Sequence, residues 1–115
     1  MVISDFFPYL EVAFEARGLQ RQDFAYLDTG FDGFLMIPHT FVSSLGDPDF
    51  VSRSELGDSS LTYGADFPGE IRIVGLGQAM KGGITCLGND WILGLGILNK
   101  FTVVFDHGRT VNIDE

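Results

Sequence analysis

The sequence predicts a mostly β chain carrying one or two short helices. Three observations lead there. Apolar residues recur at period two in short runs, as in Leu10, Val12 and Phe14 of "PYLEVAFEA". Fifteen glycines punctuate the chain between those runs. Only two segments carry a helical pattern, and both are short. With 115 residues and 45% hydrophobic content, one domain over residues 1–115 with a small but real core is expected.

The elements follow in order. Residues 8–16 read as a strand and "GLQRQ" (18–22) as a turn. "DFAYLDT" (23–29) and "GFLMI" (33–37) are the next strands. "PHTFVSSLG" (38–46) reads as a short helix, with Pro38 near its start and Gly46 just past its end. "DPDFVSRSEL" opens with turn residues and becomes extended, and "GDSS" (57–60) is a turn tip. "EIRIVGL" (70–76) and "GGITCL" (82–87) are strands, and "GILNKF" (96–101) is one helical turn. "TVVFD" (102–106) and "TVNI" (110–113), joined by "HGR", form a closing hairpin.

Composition excludes several functions. The net charge is −9 and the seven basic residues are scattered, which argues against nucleic acid and against anionic membranes. No uncharged apolar run is long enough to span a bilayer, and "MVISDFFPYL" lacks the basic start of a secretory signal. A single cysteine, Cys86, allows no internal disulfide and fits a reducing, cytoplasmic setting.

The chemistry concentrates at "YLDTGFDGFLMIP" (26–38). A carboxylate that interrupts strand-forming residues costs stability unless it is hydrogen-bonded. Asp28-Thr29-Gly30 suits a tight loop that aims a carboxylate into a cleft. Gly30 permits close backbone approach, and Thr29 can hydrogen-bond neighbouring backbone. Taken alone, the triplet also fits an Asx turn between two strands.

A second segment, "WILGLGILNKFTVVFD" (91–106), adds two apolar residues, a glycine, a short helical turn and a strand. Together the two segments resemble the retropepsin-like aspartic proteases, especially single-domain bacterial members. The resemblance runs from about Tyr9 to Ile113. "SELGDSSLTYG" (54–64) stands where such proteins carry a flap hairpin. The resemblance implies a closed-barrel acid protease fold. It makes Asp28 the catalytic aspartate, Thr29 the residue that ties two such loops across a dimer, and Gly30 a contact to the substrate backbone. Phe31, Asp32 and Gly33 would line the cleft, with Leu93 from the second motif. The flap would add Leu56, Gly57 and Asp58 if its tip lies at 56–60. The other candidate tip, "TYGAD" (62–66), would bring Tyr63 to the cleft.

Acid-protease chemistry needs two carboxylates about 3 Å apart that share one proton. One takes a proton from water; the other polarises the scissile carbonyl. This chain holds one Asp-Thr-Gly, so the second acid must come from a second copy through a two-fold axis. The strand-rich termini are candidate interface strands. The resemblance therefore implies a homodimeric endopeptidase acting on an extended peptide or protein substrate, with apolar residues flanking the cut and no metal or cofactor. A non-catalytic dimeric domain that binds peptides or proteins on the same fold is the alternative, and a domain that only drives assembly is a third. One departure stands out: retroviral members place an arginine after the apolar-apolar-glycine motif, where this chain has Leu95. The acid Asp32 then lacks its usual partner.

Other constellations carry less. His39 and His107 share no metal spacing. Cys86 sits in an apolar strand and reads as a buried inert thiol. There is no G-x-S-x-G elbow, and "GLGQAMKGG" (75–83) lacks the order of a phosphate loop. Asp47, Asp49 and Asp58 have no EF-hand spacing. Trp91 is expected in the core or at an interface.

Overall fold

The computed structural model describes residues 1–55 and 61–115. Among these residues, ten strands and two short helices follow in chain order. They are β1 (Val2–Ser4), β2 (Tyr9–Ala16), β3 (Leu19–Leu27), β4 (Leu35–Ile37), α1 (Val42–Leu45), β5 (Phe50–Glu55), β6 (Leu61–Ile73), β7 (Ala79–Cys86), β8 (Ile92–Leu93), α2 (Leu95–Leu98), β9 (Thr102–Asp106) and β10 (Thr110–Asp114). A 3-10 turn at His39–Phe41 leads into α1. The mostly β expectation, with short helices, is what the chain adopts.

Six strands close into a barrel. They run β2-β3-β8-β4-β7-β6, and β6 returns to pair with β2 through Val12↔Ile73 to Glu15↔Glu70. Closure removes the free edges that an open sheet would expose. β5 lies outside the ring, paired only with β6, so β5 and β6 project as a hairpin arm. A separate sheet of order β1-β10-β9 joins the two termini within the chain, with Ile3↔Asn112 and Asn112↔Val104 in register.

Period-two patterning builds the core. Along β2 every second residue is buried, so Leu10, Val12, Phe14 and Ala16 point inward. Ala25 and Leu27 of β3, Leu35 and Ile37 of β4, and Phe67, Ile71 and Ile73 of β6 meet them. Trp91 packs in this core, with its ring centroid 5.4 Å from Phe14 and 6.1 Å from Phe41. Each such large apolar side chain contributes roughly 1.5–3 kcal/mol when fully buried.

Several boundaries differ from expectation, for physical reasons. The turn read at residues 18–22 is only Arg17-Gly18, both at positive φ (51° and 82°), and pairing resumes at Ala16↔Leu19. Two consecutive left-handed residues make the tight hairpin turn that matches strand twist. The strand read as 23–29 therefore starts at Leu19 and stops at Leu27, before the acid. β6 is the largest departure: it runs 13 residues, and the pattern predicts strand only from residue 70. Gly64, Pro68 and Gly69 look like breakers in sequence. Gly69 instead lets β6 pass over β2, since a Cβ there would lie 2.7 Å from the Glu15 carbonyl oxygen. β7 likewise begins at Ala79 rather than residue 82, and α2 starts at Leu95 and ends at Leu98. The closing hairpin is as expected.

Candidate active site

The loop after β3 is held by the barrel on both sides. β8 is only two residues long, but it wedges between β3 and β4: Tyr26↔Ile92 and Leu27↔Leu93 are parallel pairs, and Leu35↔Leu93 is antiparallel. The ladder continues into the loop. The Asp28 amide donates to the Leu93 carbonyl at 3.1 Å, and the Tyr26 amide to the Trp91 carbonyl at 2.9 Å. Beyond β8, Gly94 N–H donates to Phe34 O (3.0 Å), Leu95 N–H to Phe31 O (2.9 Å) and Gly96 N–H to Gly33 O (2.9 Å). The two motifs, distant in sequence, are thus laced together by five backbone hydrogen bonds. Backbone rungs of this kind fix a loop without constraining which side chains it displays.

Within the loop, Asp28 turns its carboxylate onto its own backbone. Gly30 N–H donates to Asp28 Oδ1 at 2.8 Å, and Phe31 N–H donates to Asp28 O at 3.2 Å. The first of these is an Asx turn, so the bland reading and the active-site reading describe one geometry. A Cβ on Gly30 would lie 3.1 Å from Asp28 Oδ1, which crowds that turn. Asp28 is half-buried, whereas Thr29, Gly30 and Asp32 are exposed. Phe31 folds back: its ring lies over Gly33 and Gly94, where any Cβ would collide with it.

Asp28 borders a cavity of about 500 Å³. Tyr9 and Tyr26, with ring centroids 5.6 Å apart, line it together with Asp90, Trp91 and Ile92. A larger cleft of about 700 Å³ lies elsewhere, among Glu15, Arg21, Glu70 and Arg72, and no residue of the Asp28 loop lines it. The cavity beside the carboxylate is the one that chemistry could use.

The expected site residues fall into three groups. Asp28, Thr29, Gly30, Phe31, Asp32 and Gly33 lie together on one loop. Leu93 is fully buried and serves the loop through its carbonyl, while its neighbour Ile92 lines the cavity. Tyr63 is 65% exposed and lies in strand opposite Arg53. Residues 62–66 are therefore paired strand, not a flap tip. The other candidate tip, Leu56–Ser60 with Leu56, Gly57 and Asp58, lies outside the described residues. At Leu95, where retroviral members carry arginine, the backbone N–H donates to Phe31 O in the loop. Among the described residues Asp32 enters no ion pair.

Tyr9, Phe24, Tyr26 and Asp90 are residues that motif reading misses. One signal was available: in "DFAYLD" the inward Ala25 and Leu27 alternate with Phe24 and Tyr26, which leaves two aromatic rings on the outer face of β3.

The fold matches solved structures of one class. A crystal structure of a retropepsin-like aspartic protease from Rickettsia conorii aligns over 99% of this chain and 92% of that one, with a TM-score of 0.54 and 13% identity. The solution structure of the simian foamy virus protease aligns over 79% of this chain and 91% of its own, with a TM-score of 0.53 and 12% identity. No protein-family model and no curated protein sequence matches the chain. The chain therefore has the retropepsin-like fold, as its two motifs imply, and the likeness is one of fold.

Proposed function

We propose that this protein is an aspartic endopeptidase that works as a homodimer, hydrolysing peptide bonds with a water held between two Asp28 carboxylates. The observation that carries this reading is the Asp28 loop: a half-buried carboxylate bordering a cavity, tied to β8 through Leu93, on a fold whose solved neighbours are aspartic proteases.

The mechanism follows from the acid pair. Two carboxylates brought close by a two-fold axis cannot both ionise cheaply, so they share one proton and titrate as a unit. The ionised member removes a proton from water as it attacks the scissile carbonyl. The protonated member donates to the carbonyl oxygen, which gives a gem-diol; as the C–N bond breaks, the proton taken from water passes to the leaving amine and a diol hydroxyl returns a proton to the other carboxylate. Thr29 and Gly30, exposed in one chain, would meet their counterparts across the axis. The β5–β6 arm would cover the peptide and limit water access. Its free strand edge would pair with an extended substrate.

The test combines sedimentation with peptide-library cleavage from acidic to neutral pH, for the wild type and Asp28→Asn. The expected result is a dimer that cleaves and a variant dimer that does not. A strictly monomeric protein, or a wild type that cleaves nothing, overturns the reading. A function fully retained by Asp28→Asn would favour the non-catalytic peptide-binding alternative.

A further inference from the structure

We propose that the cavity beside Asp28 selects a basic side chain, arginine or lysine, flanking the bond to be cut. This deepens the peptide-hydrolase reading and rests on it. An apolar subsite would be expected from a small hydrophobic barrel, but the lining here is mixed in a particular way. Tyr9, Phe24 and Tyr26 supply aromatic surface, and Asp23 and Asp90 add two carboxylates to that of Asp28. Among the described residues, no lysine, arginine or histidine lines the cavity.

Geometry and charge point the same way. Phe6 links the aromatic rings into a run: Phe24 is edge-on to Phe6 at 5.4 Å, Phe6 is stacked on Tyr9 at 4.3 Å, and Tyr9 is edge-on to Tyr26 at 5.6 Å. Phe24 and Tyr26 remain 39% and 41% exposed, so ring surface is presented to an incoming group. A guanidinium or ammonium lying on such a surface is attracted by the ring quadrupole. Its methylene stem covers apolar area while its head reaches a carboxylate. Asp23 spends one oxygen on its neighbour, accepting from Phe24 N–H at 2.7 Å. Among the described residues, neither Asp23 nor Asp90 enters an ion pair, and no carboxylate cluster is spaced to hold a metal ion. The net charge of −9 favours the approach of basic peptides to the protein. A glutamate side chain would meet like charge there, and a leucine would leave the carboxylates facing an apolar group.

Two measurements test this. The first compares kcat/KM for peptides identical except for arginine, norleucine or glutamate beside the scissile bond, in the wild type and in Asp90→Asn. Arginine is expected to exceed norleucine at least about tenfold, with glutamate lowest, and Asp90→Asn to shrink the arginine-to-norleucine ratio about fivefold or more. Equal rates, a norleucine preference, or an unchanged ratio in Asp90→Asn overturns the proposal. The second measures binding of two statine-core peptides, one with arginine and one with norleucine, through the fluorescence of Trp91, the only tryptophan and a residue of the cavity wall. Tighter binding of the arginine ligand supports the proposal; equal binding or none overturns it. If the arginine ligand binds selectively while no peptide is cut, the pocket stands and the hydrolase reading falls.

Discussion

The Asp28 amide hangs from the Leu93 carbonyl at 3.1 Å, and through that bond the second motif positions the first. Leu93 is fully buried and paired on both flanks, with Leu27 and with Leu35. The candidate catalytic carboxylate is thus anchored to a fixed point of the barrel, although it sits in a loop. Four further backbone bonds from Tyr26, Gly94, Leu95 and Gly96 spread the anchorage over both sides.

Asp28→Asn should remove activity and leave the fold. The amide oxygen of asparagine can still accept the Gly30 N–H that Asp28 Oδ1 accepts now. What it loses is the ability to take and hold a proton. Peptide cleavage should fall about a thousandfold, within the span of lost general acid–base catalysis. The thermal midpoint and sedimentation should stay near those of the wild type. A variant that cleaves at wild-type rates would remove Asp28 from the chemistry.

Gly94→Ala should damage both stability and site. Gly94 has φ −104°, which any residue can adopt, so the obstacle is space and not backbone freedom. An added Cβ would lie 2.4 Å from Gly33 O and 2.6 Å from Phe31 Cδ2. Such overpacking costs about 1–3 kcal/mol. Because the relaxation must push the Asp28 loop away from β8, cleavage should drop further than the folded fraction does. Urea unfolding together with kcat on the folded protein separates the two, and an unchanged urea midpoint would refute the close approach.

These two motifs also mark what was legible in the sequence. Asp28-Thr29-Gly30 and the Trp91–Phe101 segment carry local signals, an acid between strand formers and a glycine after apolar pairs, and both lie where those signals imply. The long strand β6 was not legible beyond its last turn of alternation. Its breakers, Gly64, Pro68 and Gly69, are tolerated because three different strands pair along it: β5 to residues 61–66, β7 to 65–72 and β2 to 70–73. That is tertiary context, which a local pattern does not contain. β8 was hidden for a related reason, since two residues cannot show a period. The cavity wall was half hidden: Phe24 and Tyr26 alternate visibly, but their meeting with Asp90 depends on the parallel β3–β8 pairing.

Arg17→Ala should loosen the connection between β2 and the segment after α1. Arg17 takes positive φ in the hairpin turn, and its guanidinium bonds the carbonyl of Leu45 at 2.9 Å, the carbonyl of Asp47 and the carboxylate of Asp49. The same guanidinium lies 4.8 Å from the Phe67 ring centroid. The carboxylate pair is partly exposed, so most of the effect comes from the lost backbone contacts and ring packing. A loss of about 1–2 kcal/mol is expected. Amide hydrogen exchange should rise selectively over residues 45–50. Loss of stability without that local signature would place the role of Arg17 elsewhere.

Cys86 gives the pH dependence. Burial first, and the nearby charge of Asp66 second, push its thiol up to about 11 from an ordinary 9.0. The folded state therefore holds the proton that the unfolded chain releases, so the neutral thiol stabilises the fold fully below pH 9. That contribution fades as pH rises from about 9 towards 11. Two results should follow. At pH 8 the native thiol should react with a disulfide reagent far more slowly than the thiol in urea, since it is both shielded and protonated. Between pH 9 and 11 the wild type should lose stability more steeply than Cys86→Ala, which has no proton to lose there. The alanine variant should start lower at pH 8, because a buried side chain is shortened, and the two urea midpoints should converge as the pH climbs. Parallel curves across that window would show that Cys86 titrates alike in both states.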